Sequence, residues 1–139
     1  MIDIYLSINN REQVLKLPVL PSELSIPSPV NNETYNTIGQ GDIKLIGQRG
    51  LKTITIESFF PSKDYPFLRD RTYRGWEYVD IIESWIDRRI PIRLIITDTP
   101  INIPCVIESF EYGLDRSGDI FYTLSLSEFR FIQLEQRRV

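Results

Sequence analysis

Over residues 39–130, two β-rich blocks flank one short amphipathic helix, and that order constrains the fold more than any other feature. The first block reads GQGDIKLIGQRGLKTITIESFFPSKDYPF, the helical segment WEYVDIIESWIDRR, and the second block PIRLIITDTPINIPCVIESFEYGLDRSGDIFYTLSLSEFRFIQ. Residues 53–60 alternate: Ile54, Ile56, Ser58 and Phe60 fall on one face, and Thr53, Thr55, Glu57 and Phe59 on the other. That period of two is the mark of a strand. Residues 92–97 are apolar apart from Arg93, as in a central strand covered on both faces. Residues 101–103 and 106–112 continue the sheet. Residues 120–133 form a long strand whose phase breaks, with Tyr122, Leu124 and Leu126 on one face and Phe129 and Phe131 on the other. A bulge or a crossing between surfaces is expected there.

The helix is expected over residues 76–89. Trp76, Val79, Ile82 and Ile86, with Ile81 and Trp85 beside them, make a wide apolar stripe at helical spacing. Glu77 and Asp80 near its start and Arg88-Arg89 at its end complement the macrodipole, and Pro91 stops it. Trp76, Trp85 and Phe60 are the expected core anchors, the alternative for the tryptophans being a binding box.

Ahead of these blocks, Ile2, Ile4, Leu6 and Ile8 share one face of a half-buried strand. A turn at residues 9–12 leads to a second strand at 14–17, so the chain opens with a hairpin. Pro18, Pro21, Pro27 and Pro29 then mark an edge strand or surface crossing, pinned by Leu24 and Ile26. Residues 30–41 are polar, with Asn31, Asn32, Thr34, Tyr35, Asn36 and Thr37. They fit either a long loop or a hairpin arm that becomes fixed only against a neighbour. Residues 42–46 are a short strand, 47–50 a turn and 62–75 a surface loop anchored by Tyr65 and Phe67. The sum is a mainly β chain: an antiparallel barrel or sandwich of about eight strands with one packed α-helix.

Composition narrows the function. The chain has 139 residues, an ordinary globular 42% hydrophobic content and a net charge of −3. This length fits a single domain over residues 1–139. Nothing points to nucleic-acid recognition or membrane insertion, and a chain made and kept in a cytosol, or assembled there before release, is expected. There is no histidine and one cysteine, Cys105. Ser-His-Asp and Cys-His nucleophile systems are therefore excluded, as is an internal disulfide. Cys105 fits a buried small hydrophobe. Asp115 with Asp119, and Glu108 with Glu111, are carboxylate pairs without EF-hand spacing, and the first pair fits a solvated hairpin loop. Neither glycine-rich stretch, 39–41 or 47–50, precedes a helix as a phosphate loop would. No catalytic residue, metal ligand or cofactor is expected. A carboxylate-dependent hydrolase would need two facing acids in a cleft, which no spacing supplies. The remaining classes are an assembly subunit and a small-ligand or protein-binding β-barrel module without catalysis.

One set of residues is more specific. It comprises Leu17-Pro18, Pro21 with Leu24-Ser25-Ile26, Gly47 with Gly50-Leu51, Ile54-Thr55-Ile56 and Ser58-Phe59-Phe60-Pro61. It continues with Trp76, Trp85, PIRLII at 91–96, Thr99-Pro100-Ile101-Asn102, and Gly118-Asp119 leading into LSLSEFR at 124–130. In this order the set resembles the N-terminal domain of LysM-carrying, hub-proximal tail and baseplate proteins of contractile phage tails and phage-tail-like bacteriocins. The resemblance implies a tail-tube-like fold and a structural subunit at the junction of tube and baseplate hub, either a tube initiator or a hub adaptor. It further implies a homo-oligomer, a hexameric ring, with tail-tube and hub or spike proteins as partners, located in a phage or phage-tail-like particle. The sequence stops at Val139 without a LysM module, so peptidoglycan binding is not expected. Candidate contacts between subunits are Asn31, Asn32, Thr34, Tyr35, Asn36 and Thr37 of the arm, with Phe129 and Phe131.

Overall fold

A computed structural model describes residues 2–130 of the chain. Its elements run β1 (Ile4–Ile8), β2 (Gln13–Lys16), β3 (Glu33–Thr37), β4 (Gly41–Leu45), β5 (Thr53–Phe60), α1 (Trp76–Arg88), β6 (Ile92–Ile96), β7 (Asn102–Leu114) and β8 (Ile120–Glu128). Six strands form one antiparallel sheet in the order β2-β1-β6-β7-β8-β5, and β3 with β4 forms a separate ribbon. Among the described residues, the mainly β class, the eight strands and the single helix agree with the expectation from the sequence. Of barrel and sandwich, the layered form is found. The main sheet is open, with β2 and β5 as its edges among the described residues.

One face of this sheet and one face of α1 make the core. Ile4, Leu6 and Ile8 of β1 lie opposite Ile96, Leu94 and Ile92 of β6. Leu94 and Ile92 in turn lie opposite Ile103 and Cys105 of β7. Arg93, the exception in an otherwise apolar strand, faces outward and is exposed. β6 is an interior strand, as its apolar run required. From β5 and β8 the core receives Ile54, Ile56, Phe60, Ile120, Tyr122, Leu124 and Leu126.

A period break lies in β7; the one expected between Leu126 and Phe129–Phe131 reaches beyond the described residues, since Phe131 lies outside them. Within its described span β8 stays in phase, and Phe129 follows just beyond it. The register between β7 and β8 shifts between Ile107 and Ser109: Ile107 opposes Leu126, yet Phe110 opposes Leu124. One extra residue, Glu108, moves the face shared with the inward residues of β8 from positions 103, 105 and 107 to 110, 112 and 114, as a bulge must; of these Phe110 packs against the core, while Tyr112 and Leu114 are exposed. Nothing in residues 106–112 announces it, because their apolar and polar side chains are mixed on both faces.

Helix α1 starts after Gly75 and ends at Arg89, which sits in the left-handed region and bonds its N–H to the Ile86 carbonyl. Its buried face is Tyr78, Val79, Ile82 and Trp85. This corrects the expected anchor Trp76, which is 50% exposed, whereas Trp85 is 1% exposed and Phe60 fully buried. Side chains on a helix lean toward its N-terminus. The Trp76 side chain, in the first residue, therefore overhangs the sheet and meets Tyr112 edge-on, 6.0 Å between ring centres. Tyr78 takes the place assigned to Trp76; its spacing to Ile82 and Trp85 fits the same face. The Trp85 indole N–H donates to Gln13 Oε1 at 3.0 Å, and Arg88 pairs with Glu12 at 3.0 Å. The helix is thereby tied to the β1–β2 turn.

The two tryptophans should respond differently to truncation. Trp85→Ala is expected to destabilise the protein by about 3–5 kcal/mol, and Trp76→Ala by about 1 kcal/mol or less. Equal shifts in chemical denaturation would contradict this division.

Candidate assembly surface

Residues 30–49 settle the choice between loop and arm: they form an arm. At its root Val30 and Arg49 make an isolated antiparallel bridge. The Asn31 N–H donates to the Gln48 carbonyl at 2.8 Å and the Gly50 N–H to the Pro29 carbonyl at 2.8 Å. The Gly47 N–H donates to Asn32 Oδ1 at 2.8 Å. A side chain at Gly47 is impossible without movement, because a Cβ there would lie 1.6 Å from the Asn31 carbonyl oxygen. Beyond the root, β3 pairs with β4 from Glu33–Leu45 to Thr37–Gly41. The tip turns through Gly39 and Gly41, both in the left-handed region that glycine favours. Thr37 closes it by donating its hydroxyl to the Gly41 carbonyl at 2.6 Å.

Directly opposed residues in an antiparallel pair project to one face. The register therefore gathers Glu33, Tyr35, Thr37, Ile43 and Leu45 on one side of the ribbon, and Thr34, Asn36, Asp42 and Lys44 on the other; on the first side the Tyr35 hydroxyl donates to the Glu33 carboxylate at 2.9 Å. Lys44 Nζ donates to Thr34 Oγ1 across the polar side. Tyr35, Ile43 and Leu45 are all exposed, as are Ile38 at the tip and Ile46 near the root. The arm thus has a largely apolar side, edged by Glu33, without a core beneath it. The Asn and Thr residues of β3 mark the arm in the sequence, while the contribution of β4 comes into view only with the pairing. The signal was the alternation of Ile43 and Leu45 after a glycine turn.

Of the expected contact residues, Asn31 and Asn32 hold the root, Thr34, Tyr35 and Asn36 lie along the exposed ribbon, and Thr37 closes the tip. Phe129 is half-buried, and its N–H bonds to the Pro104 carbonyl at 2.8 Å. Phe131 lies outside the described residues. The next residue after Phe129, Arg130, donates to the Gly50 carbonyl at 3.2 Å, so the end of β8 meets the root of the arm. The second assembly feature is β5. It pairs with β8 alone in the sheet, which leaves its other side as an eight-residue edge among the described residues.

The loop over residues 62–75 is held by acids at both ends. Asp119 accepts from the Ser62 N–H and hydroxyl and from the Tyr65 hydroxyl, at 2.8, 2.9 and 2.7 Å. Asp119 is buried, which corrects the picture of a solvated hairpin: Asp115 caps the turn, and Asp119 fastens the neighbouring loop. Desolvation raises the Asp119 pKa, but the hydrogen bonds from Ser62 and Tyr65 outweigh it and hold the carboxyl below its ordinary value. At the far end Arg69 grips Asp3 through two bonds, 2.7 and 3.1 Å, and Lys16 stands 3.7 Å away. The Arg69 bond is the main cause of the lowered Asp3 pKa. Tyr65 serves as an anchor; Phe67 is exposed and touches only the rings of Phe59 and Tyr65 among aromatic partners.

Among the described residues, no three His, Cys, Asp or Glu side chains gather as a metal site. No described helix is long and apolar enough to cross a membrane. Cys105 is buried, and desolvation pushes its thiol up to about 12.

No protein-family model matches the chain. It is similar to the uncharacterized protein YqbP of Bacillus subtilis (strain 168), with 34% identity over 126 residues, 88% of this chain and 58% of YqbP. The chain thus spans less than two thirds of the length of that relative. Two solved structures share its fold. One is a chain from the virion of a native gene transfer agent particle, with a TM-score of 0.57, 16% identity, and coverage of 93% of this chain and 92% of that one. The other comes from the tail of an empty gene transfer agent particle with C6 symmetry, with a TM-score of 0.57, 17% identity, and coverage of 94% and 92%.

The Asp119 network should make stability acid-sensitive. Its carboxylate is held below the ordinary 3.8, so its stabilisation is full above that value and is lost as pH falls through the lowered folded pKa. Asp119→Ala is expected to cost about 1–3 kcal/mol at neutral pH and to flatten the acid limb of a stability-versus-pH curve. An unaltered acid limb would contradict the assignment.

Proposed function

We propose that this chain is a structural, non-catalytic subunit of a contractile phage tail or phage-tail-like particle. It forms a sixfold ring at the junction of tail tube and baseplate hub, as tube initiator or hub adaptor. The observation that carries this is the β3–β4 arm, an extended ribbon with an exposed apolar side, beside the open edge of β5. A two-stranded ribbon is marginal in water without a surface to lie on, and an exposed regular edge strand invites pairing. Each subunit gives an arm and receives one, a head-to-tail relation that closes into a ring. The arm's backbone pairs with the neighbour by strand addition.

The fold shared with a gene transfer agent tail supports the tail reading, and the C6 symmetry of that particle supports the sixfold order. Partners are other copies of the chain, the tube and the hub or spike proteins, with assembly in the bacterial cytoplasm. A lipocalin-like ligand barrel is disfavoured, because Phe60, Tyr78, Tyr122 and Trp85 fill the space between sheet and helix.

Replacing residues 32–47 with a short Gly-Ser link should leave a folded, cooperatively melting protein that no longer enters particles. Particles of normal yield and length with the armless chain, seen by electron microscopy, would refute the assembly role.

A further inference from the structure

The sheet face turned away from the helix carries a cleft of about 460 Å³, where the β1–β2 turn meets the start of β6. Successive side chains of a strand point to opposite faces. With Ile4, Leu6 and Ile8 of β1 in the core, Ser7 stands on the other face, directly opposite Arg93 of β6. Pro104 of β7 is paired with Arg93 on its far side. Arg11 joins the cleft from the turn.

The cleft is positive in a chain whose net charge is −3. Among the described residues no acid lines it, and neither arginine has an ion-pair partner. Arg93 is held by a neutral acceptor: its Nη1 donates to Asn102 Oδ1 at 2.7 Å, which orients the guanidinium and leaves its charge uncompensated. Glu12, the acid of the turn, is engaged elsewhere, accepting from Asn9 at 3.1 Å and from Arg88 at 3.0 Å. Ser7 lines the cleft at 3% exposure, and its hydroxyl has no hydrogen-bond partner among the described residues. A hydroxyl taken from water without a partner is costly, and a bound acceptor would remove that cost. The turn itself is strained. Asn9, Asn10 and Arg11 follow one another in the left-handed region, at φ 42°, 57° and 70°. Side chains other than glycine enter that region at a cost, and such strain gathers at functional sites.

We infer that this cleft binds an oxyanion, a carboxylate or a phosphate, held by the guanidinium groups of Arg11 and Arg93 and accepting a hydrogen bond from the Ser7 hydroxyl. A guanidinium fork matches the paired oxygens of either group, and it is weakly hydrated enough to bind at a partly buried site. Pro91, Ile95 and Pro104 line the remainder of the cleft and give an apolar bed for whatever carries the anion. The site is separate from the arm and from the β5 edge, and it does not rest on the proposed ring.

The test is an NMR titration of the full-length, nitrogen-labelled protein with inorganic phosphate and, separately, with 4-methylvalerate, a carboxylate on an apolar stem. The Nε–H signals of Arg11 and Arg93 and the amide signal of Ser7 should shift together and saturate in the millimolar range. Saturation with phosphate alone assigns a phosphate ligand, and saturation with 4-methylvalerate alone assigns a carboxylate. Arg11→Gln and Arg93→Gln should each weaken binding by about tenfold, the loss of one charge-assisted contact, and Ser7→Ala by roughly threefold. Both arginines are exposed, so their replacement leaves the core intact, and the remaining amide signals report any change of fold. Arg116→Gln, an exposed cation of the β7–β8 turn, should bind as the parent does. Shifts that never saturate with either probe would overturn the site. So would saturable binding that survives the loss of both Arg11 and Arg93, or that falls equally in Arg116→Gln.

Discussion

A three-ring stack holds this molecule together. Phe60 at the end of β5 lies flat between Tyr78 of α1, at 4.9 Å and 7°, and Tyr122 of β8, at 4.2 Å and 10°. The rings join the helix, the edge strand and its only sheet partner at a single point. Offset stacking of this kind adds to the burial of large apolar area. The Tyr78 hydroxyl, buried with its ring, offsets its desolvation by donating to Asp70 in the loop before the helix, which brings that loop into the same construction. Without the stack, the helix would lose its aromatic contact with β5, and β5 would keep its ladder with β8, the burial of Ile54 and Ile56 and the bond from Ser58 to the Val19 carbonyl.

Around that centre the molecule divides into a self-sufficient body and a dependent arm. Every fastening of the body closes on itself: Trp85 on Gln13, Arg69 on Asp3, Ser62 and Tyr65 on Asp119. The arm is fastened only at its root and along its own ladder. Its apolar side chains contribute little to folding where they stand. That asymmetry is the physical ground for placing recognition in the arm and stability in the body.

Much of the body was legible in the sequence because one-sided burial writes a period of two into each strand. Ile54, Ile56 and Phe60 of β5, and Tyr122, Leu124 and Leu126 of β8, show it plainly. The bulge at Glu108 was not legible, since it is a relation between two strands and neither carries it alone. Trp76 misled for a similar reason: the stripe was correct in period, but where the helix begins over the sheet decides whether its first residue is covered. The arm stood out as polar and unpatterned in its first strand. Its apolar side became visible only when pairing placed Ile43 opposite Tyr35.

Gly47 gives the arm a mechanical property out of proportion to its size. Its missing side chain lets the two legs of the root approach until the Asn31 carbonyl occupies the space a methyl group would need. Any change in the root geometry there would act on the arm as on a lever, with the root as its hinge. Over a span of roughly 26 Å, set by strand rise, a tilt of about 10° at the hinge displaces the tip by nearly the spacing of adjacent strands. The arm's aim is therefore concentrated in one residue that makes no outward contact. Changes along the ribbon alter what it touches, while a change at the hinge alters where it points.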